Sequence, residues 1–332
     1  MARVLGGIGR TLMAAGVLIL LFVAYEVWGT NLQEASAQRQ LSRDFGAQLQ
    51  HARSTTTTTA VKPPPTTSAT PTTRPGGIVA TPATTPPALA PINMAVPADG
   101  AAMAEIQIPK IGVDKTVVQG VTLDQLKRGP GHYPGTPLPG QKGNAAIAGH
   151  RTTYGAPFHN IDQVGVGDEI IVVTTYGTFH YKVDSTQIVS PSASEVLLDK
   201  GDNRITLTAC HPKYSAEKRI IVSGVLVGAP VGKARGQDAF QASHQSTSGG
   251  AGNTATIDGG LSGVRSSKLP AFLWGGGCAL VWLLAWATSR LLGRRGSRRV
   301  VRWTPYLVGT PVFLVVLYVF FENFSRLLPA NF

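Results

Sequence analysis

Residues 203–221 read NRITLTACHPKYSAEKRII: an alternating apolar run that ends on Cys210, then a second that opens on Arg219. Successive side chains of a strand point to opposite faces. Thr206, Thr208 and Cys210 therefore share one face, while Ile205, Leu207 and Ala209 form the other, which reads as core. Pro212 has no backbone donor and ends the ladder just past the thiol. If the second run pairs antiparallel with the first, Arg219 comes up beside Cys210. Its guanidinium can then donate to a carbonyl oxygen that becomes anionic during acyl transfer.

A thiol nucleophile needs a partner to carry its proton, most often a histidine. The candidates are His132, His150, His159, His180 and His211. His150 leads because NAAIAGH is a strand whose end carries the imidazole, as the other strand's end carries the thiol. His180 sits inside TFHYKVD and reads as a sheet-face residue. His211 should point away from the face of Cys210, and His132 and His159 fall in loops.

The only other cysteine, Cys278, lies inside a long apolar run, so the two are not a disulfide framework. A lone thiol in an oxidising space outside the cell favours chemistry over stapling. No paired Cys-x2-Cys ligands suggest structural zinc. There is no P-loop and no GxSxG motif.

The elements around these residues are short and strand-rich. AEIQI, KTVVQ, NAAIAG, DEIIVVTT, TFHYKVD, RITLTAC and RIIVSGVLV are expected strands, and GPGHYPGTPLPGQKG (129–143) a structured loop. PSASEVLLDKG has Ser192 and Glu195 in capping-box spacing, with Gly201 as a stop, and predicts a short helix. Many short strands and few helices fit a barrel or a sandwich, and periodicity leaves that choice open.

Three uncharged runs read as membrane segments: 11–25, 269–287 and 303–321, the latter two each 19 residues long. Arginines at 290, 294, 295, 298, 299 and 302 crowd the loop between the last two, and Arg3 and Arg10 precede the first. Such loops stay cytoplasmic. The sequence thus predicts a multi-pass protein of the cell membrane, with its N-terminus cytoplasmic and its catalytic domain extracytoplasmic. A cleavable leader ending at ASA (35–37) is the competing reading of the first run.

The expected organisation is a cytoplasmic N-terminus (1–10), a signal anchor (11–28) and a stalk with a Thr/Pro-rich linker (29–97). A catalytic domain (98–229) and a Gly/Ser-rich linker (230–268) follow, then a membrane helix (269–289), an Arg-rich cytoplasmic loop (290–302), a second helix (303–321) and an external tail (322–332). The Thr/Pro tract reads as a spacer holding the domain off the membrane. The formal charge of the chain is +12, yet residues 102–229 hold 12 Lys and Arg against 11 Asp and Glu. The excess lies in the tails and the Arg loop, where it serves topology and anionic lipid. Nucleic acid is not an expected partner.

TLTAC (206–210), Arg219 nine residues beyond the cysteine, and GHYPGTPLPGQKGNAAIAGHRTTYG upstream resemble the sortases, membrane-anchored cysteine transpeptidases, and most of all their class E group in actinobacteria. The resemblance covers roughly 104–229. It implies a mainly β fold: a closed eight-stranded barrel with one or two short helices, to which the sequence adds three transmembrane helices. It also implies His150, Cys210 and Arg219 as the catalytic set. The expected reaction cleaves a C-terminal sorting signal of LPxTG type, in this group LAxTG, after Thr. The acyl group then passes to a peptidoglycan precursor amine. Partners would be secreted proteins bearing that signal, the precursor amine and the lipid membrane.

Tyr133, Thr208 and Tyr214 are the expected substrate-binding residues, and no metal or cofactor is expected. The family usually has Thr immediately before the cysteine, where this chain has Ala209, so a contact made by that hydroxyl would be missing. A wall-associated thiol hydrolase, a pilin-polymerising sortase and an inactive wall-binding scaffold are the alternatives.

Overall fold

The computed structural model describes residues 2–57, 92, 94–247, 255–257, 261, 268–294 and 303–325. Most of the Thr/Pro tract, the arginines at 295, 298, 299 and 302, and the tail from 326 lie outside the described residues.

Eight strands close into a barrel: β1 (Ala102–Ile108), β2 (Val113–Gln119), β3 (Gly131–His132), β4 (Asn144–Ala148), β5 (Glu169–Thr174), β6 (Gly177–Val189), β7 (Arg204–His211) and β8 (Lys218–Val227). Their order around the barrel is β1-β2-β3-β4-β7-β8-β6-β5, and β1 pairs with both β2 and β5. Closure leaves no unpaired edge. The pairs β2–β3 and β4–β7 are parallel and the others antiparallel. Alternate side chains fill the barrel, among them Ile106, Ile147, Ile170, Tyr181, Leu207 and Val222, each at most 1% exposed.

Strand β3 lies inside the Gly/Pro stretch that the sequence reads as loop, and it supplies the eighth strand. The expected capped helix at 191–201 is a single 3-10 turn, Ser194–Leu197, without a side-chain cap. Ser192 hydrogen-bonds the Ser190 hydroxyl instead, at 2.9 Å. A capping box does form at Thr122 and Gln125, opening the one-turn helix α3 (Leu123–Leu126).

Preceding the barrel, helices α1 (Ala2–Ala24) and α2 (Thr30–Thr57) are joined without a break by a π-helical turn, Tyr25–Gly29. Leu41 and Phe45 of α2 bury themselves against Ala102 and Val118. The Gln38 amide donates to the carbonyls of Thr116 and Arg128 at 3.0 and 2.7 Å and accepts from the Thr116 N–H at 2.9 Å. The segment expected as a stalk is thus strapped to the barrel wall beside the first apolar segment.

After the barrel come α4 (Gln237–Ser243) and a small hairpin, Gln245–Thr247 with Ala255–Ile257, within the stretch expected as linker. Two long helices follow, α5 (Leu269–Arg294) and α6 (Thr304–Ser325). Among the described residues two helices, not the expected three, are long and apolar enough to cross a membrane: Leu269–Leu292 and Thr304–Ser325. Within α1 a shorter apolar stretch, Leu12–Ala24, is described.

Candidate active site

Cys210 and Arg219 are direct partners across the antiparallel β7–β8 pair. Such partners project from the same face. Thr206 and Thr208 share that face, on the outside of the barrel, while Ile205, Leu207 and Ala209 point inward. Ala209 is 3% exposed and packs in the core cluster with Ile220 and Val222. The residue before the cysteine therefore faces away from the thiol, and its missing hydroxyl takes nothing from that face.

His150 reaches the same rim by another route. Strand β4 runs parallel to β7 with Ala148 opposite Thr208, and the Gly149 N–H continues the ladder to the Thr208 carbonyl at 3.0 Å. Parallel pairing brings both strands to their C-terminal ends together. His150 is thereby carried to the level of Cys210, both almost wholly buried. Its Nε2 is buried and has no hydrogen-bond partner among the described residues. Its ring lies 5.2 Å from that of Tyr154.

Burial sets the resting charges. It pushes the Cys210 thiol up from its ordinary range, with Arg219 and then Arg151 pulling partly back. Burial, helped by the nearby Lys127 ammonium, takes His150 down to about 4. Both effects disfavour the charged form. At neutral pH the resting pair is a thiol and a neutral imidazole.

Arg219 is oriented by its own hairpin: Nη1 donates to the carbonyls of Ala216 and Lys218 at 2.9 and 3.0 Å. Tyr133 is buried, and its hydroxyl meets the Thr208 hydroxyl at 3.3 Å. Arg219 and Cys210 both act electrostatically on it, so Tyr133 and Thr208 border the thiol. Tyr214 is not brought in: it is 75% exposed, at φ 66° in the β7–β8 loop.

The remaining histidines have structural settings. His132 is wholly buried between the Gln119 side chain (2.9 Å) and the Pro137 carbonyl (2.8 Å), and burial lowers it to about 4. His180 pairs with Glu169 on the exposed sheet face. His159 Nδ1 meets the Arg151 carbonyl, and His211 Nδ1 meets the Arg151 guanidinium.

Two residues at this rim carry no local sequence signal. Arg151, 3% exposed, bridges Cys210, His211 and Asp162. Lys127, 4% exposed, sits between the Tyr154 ring and the carboxylates of Asp124 and Glu322. Only the adjacency of Arg151 to His150 could have flagged it. No group of three or more His, Cys, Asp or Glu able to hold a metal occurs among the described residues.

The barrel thus closes with Cys210 and Arg219 paired at the ends of β7 and β8, and with His150 two residues beyond the parallel strand β4. The Sortase domain family matches residues 106–227, and the barrel of this chain belongs to the sortase family. Its likeness runs to class E. Sortase SrtE1 of Streptomyces coelicolor is 30% identical over 236 residues, covering 66% of this chain and 56% of that protein. Sortase D of Bacillus subtilis is 32% identical over 132 residues, covering 39% of this chain and 65% of that protein. The chain thus spans less than two thirds of either relative. A solved structure of sortase E from Streptomyces avermitilis is 34% identical, covering 40% of this chain and 91% of that one, with a TM-score of 0.37.

Proposed function

We propose that the chain is a membrane-anchored cysteine transpeptidase that cleaves an LPxTG-like, in this group LAxTG, sorting signal after Thr. It then joins the secreted protein to a peptidoglycan precursor amine. The observation that carries this reading is the register setting Cys210 opposite Arg219, with β4 delivering His150 to the same rim.

The neutral resting pair sets the order of proton movements. As the Cys210 sulfur attacks the Thr carbonyl, its proton passes to His150 and a C–S bond forms. Arg219 donates to the oxygen that becomes anionic; such donors act most strongly in a water-poor site. Collapse breaks the Thr–Gly C–N bond, and the His150 proton leaves on the Gly amine. The incoming amine then attacks the thioester and gives a proton to His150. The C–S bond breaks, and the thiolate recovers that proton. Tyr133 and Thr208 wall the small residues of the signal.

Helices α5 and α6 form the membrane anchor, their exposed apolar faces (Phe272, Trp282, Leu307) meeting lipid. The Arg-rich segment 290–302 between them favours the cytoplasmic side. On this reading the barrel lies outside, where sorting signals and wall precursors meet.

The test is the full chain in detergent with an LAxTG or LPxTG peptide, with and without an amine donor, products read by mass. A Thr–amine product that disappears in Cys210→Ala supports the reading. Free Thr acid alone, with amine present, makes the protein a hydrolase. No cleavage from folded protein with a titratable thiol overturns catalysis.

A further inference from the structure

Lys127 follows α3 and its side chain is only 5% exposed. An ammonium out of water needs compensation close by. Asp124, 3.3 Å away, is 73% exposed and hydrated. The other partner is Glu322, also at 3.3 Å and only 27% exposed, from the C-terminal end of α6, 195 residues away. The ammonium also lies 5.9 Å from the centre of the Tyr154 ring, which packs against His150. Tyr154 is held at φ 50°, and the next residue, Gly155, donates its N–H to Asn31 of α2 at 3.0 Å. Nearby, Tyr25 of the π turn packs on Tyr318 and Phe321 of α6. The loop bearing His150 is thus held by α2 directly and linked to α6 through Lys127.

We infer that Lys127 and Glu322 are positioning residues: their ion pair docks the end of α6 beside the Tyr154–His150 stack, making the C-terminal hairpin a working part of the catalytic centre. The inference rests on His150 as the proton carrier. Glu322 offsets the Lys127 charge that His150 would otherwise meet with only the exposed Asp124 against it. The charged and titratable groups at this rim are Lys127 and Asp124 at α3, Tyr133 after β3, Arg151, Tyr154, His159 and Asp162 on the segment after His150, Cys210 and His211 on β7, Arg219 on β8, Glu34 on α2, Glu322 on α6 and Tyr25 on the π turn.

The test uses the full chain in detergent and reads His150 directly, independent of any substrate. The ring Cε1–H resonance is assigned by its loss in His150→Gln and titrated in wild type, Glu322→Gln and Lys127→Met. The two variants should move its midpoint in opposite directions. Glu322→Gln leaves the ammonium only the hydrated Asp124 and moves the midpoint down; Lys127→Met removes the ammonium and moves it up. In the peptide assay Glu322→Gln should lower kcat about tenfold with little change in KM, and Glu322→Asp should recover part of that loss. Circular dichroism confirms that each variant keeps the barrel. If Lys127→Met fails to fold, a Glu322→Gln midpoint equal to wild type is sufficient to overturn the inference. Unchanged midpoints, or shifts in the same direction, also overturn it. Opposite shifts in a protein that cleaves no peptide would leave the coupling standing and remove the proposed reaction.

Discussion

The Arg151 guanidinium donates from Nη1 to the carbonyl oxygen of Cys210 at 3.3 Å while its Nη2 holds Asp162 at 2.9 Å. One side chain therefore ties the strand end that carries the nucleophile to the loop that begins at the base. Arg151→Ala should leave this carbonyl without its donor and lower kcat/KM for peptide cleavage roughly 10- to 100-fold, a cost of about 1.4 to 2.7 kcal/mol. Arg151→Lys should recover only part, since a lysine cannot span the carbonyl and the carboxylate as a planar fork does. Steady-state kinetics beside a thermal melt would separate this from global loss of structure.

Arg219 presents a sharper case. Two of its contacts are spent on the Ala216 and Lys218 carbonyls, which fixes the guanidinium plane beside the thiol. Removing one oxyanion donor costs on the order of 10²–10³ in rate. Arg219→Ala should lose that much in kcat with the barrel intact. Alkylation of Cys210 in the same variant should also need higher pH, because the guanidinium is the main group favouring its thiolate.

Acid should weaken the barrel through two buried histidines. His132 and His150 both titrate near 4 in the folded chain, against about 6.5 unfolded. Between those values the unfolded chain binds protons that the fold refuses, so stability falls as pH drops from about 6.5 towards 4 and is unaffected above 7. Each residue should contribute about 2 kcal/mol of loss by pH 5. Urea unfolding at pH 7.5 and 5 would show it, and His132→Gln should remove about half of the difference.

Restoring the family's usual Thr at position 209 should not help catalysis. Ala209 points into the packed core, away from Cys210. Ala209→Thr adds volume and a hydroxyl without a partner there, at a cost of about 1–3 kcal/mol. The expected result is a lower melting temperature with peptide specificity unchanged; a gain in kcat would contradict the inward orientation.

Phe45→Ala tests the strap. Phe45 is 2% exposed against Ala102 and Val118, and its truncation should cost about 3–5 kcal/mol of docking. Limited proteolysis within 30–57 should accelerate well before the barrel itself is cut.

What the sequence revealed follows from which contacts are local. Seven strands announced themselves through alternation, and the β7–β8 hairpin fixes Cys210 against Arg219 within nine residues. Strand β3 was hidden because two residues bounded by Gly and Pro carry no alternation and are held by a parallel neighbour. The Ser192–Glu195 spacing promised a helix, but Ser192 found Ser190, while the Thr122–Gln125 box did form. Lys127 and Arg151 look like ordinary surface cations in sequence. Only long-range packing of α6 and of the His150 loop buries them.

The parallel β4–β7 pairing also governs when the site can exist. Arg151 and Cys210 are 59 residues apart in the chain, and the whole of β5 and β6 lies in the loop that their meeting closes. Closing such a loop costs entropy that no local contact repays, so this pairing belongs to the late events of folding. Until then the β7–β8 hairpin can set Arg219 opposite Cys210, but His150 is not alongside. A chain emerging unfolded has a thiol but no proton carrier beside it, and ring closure is what joins the two.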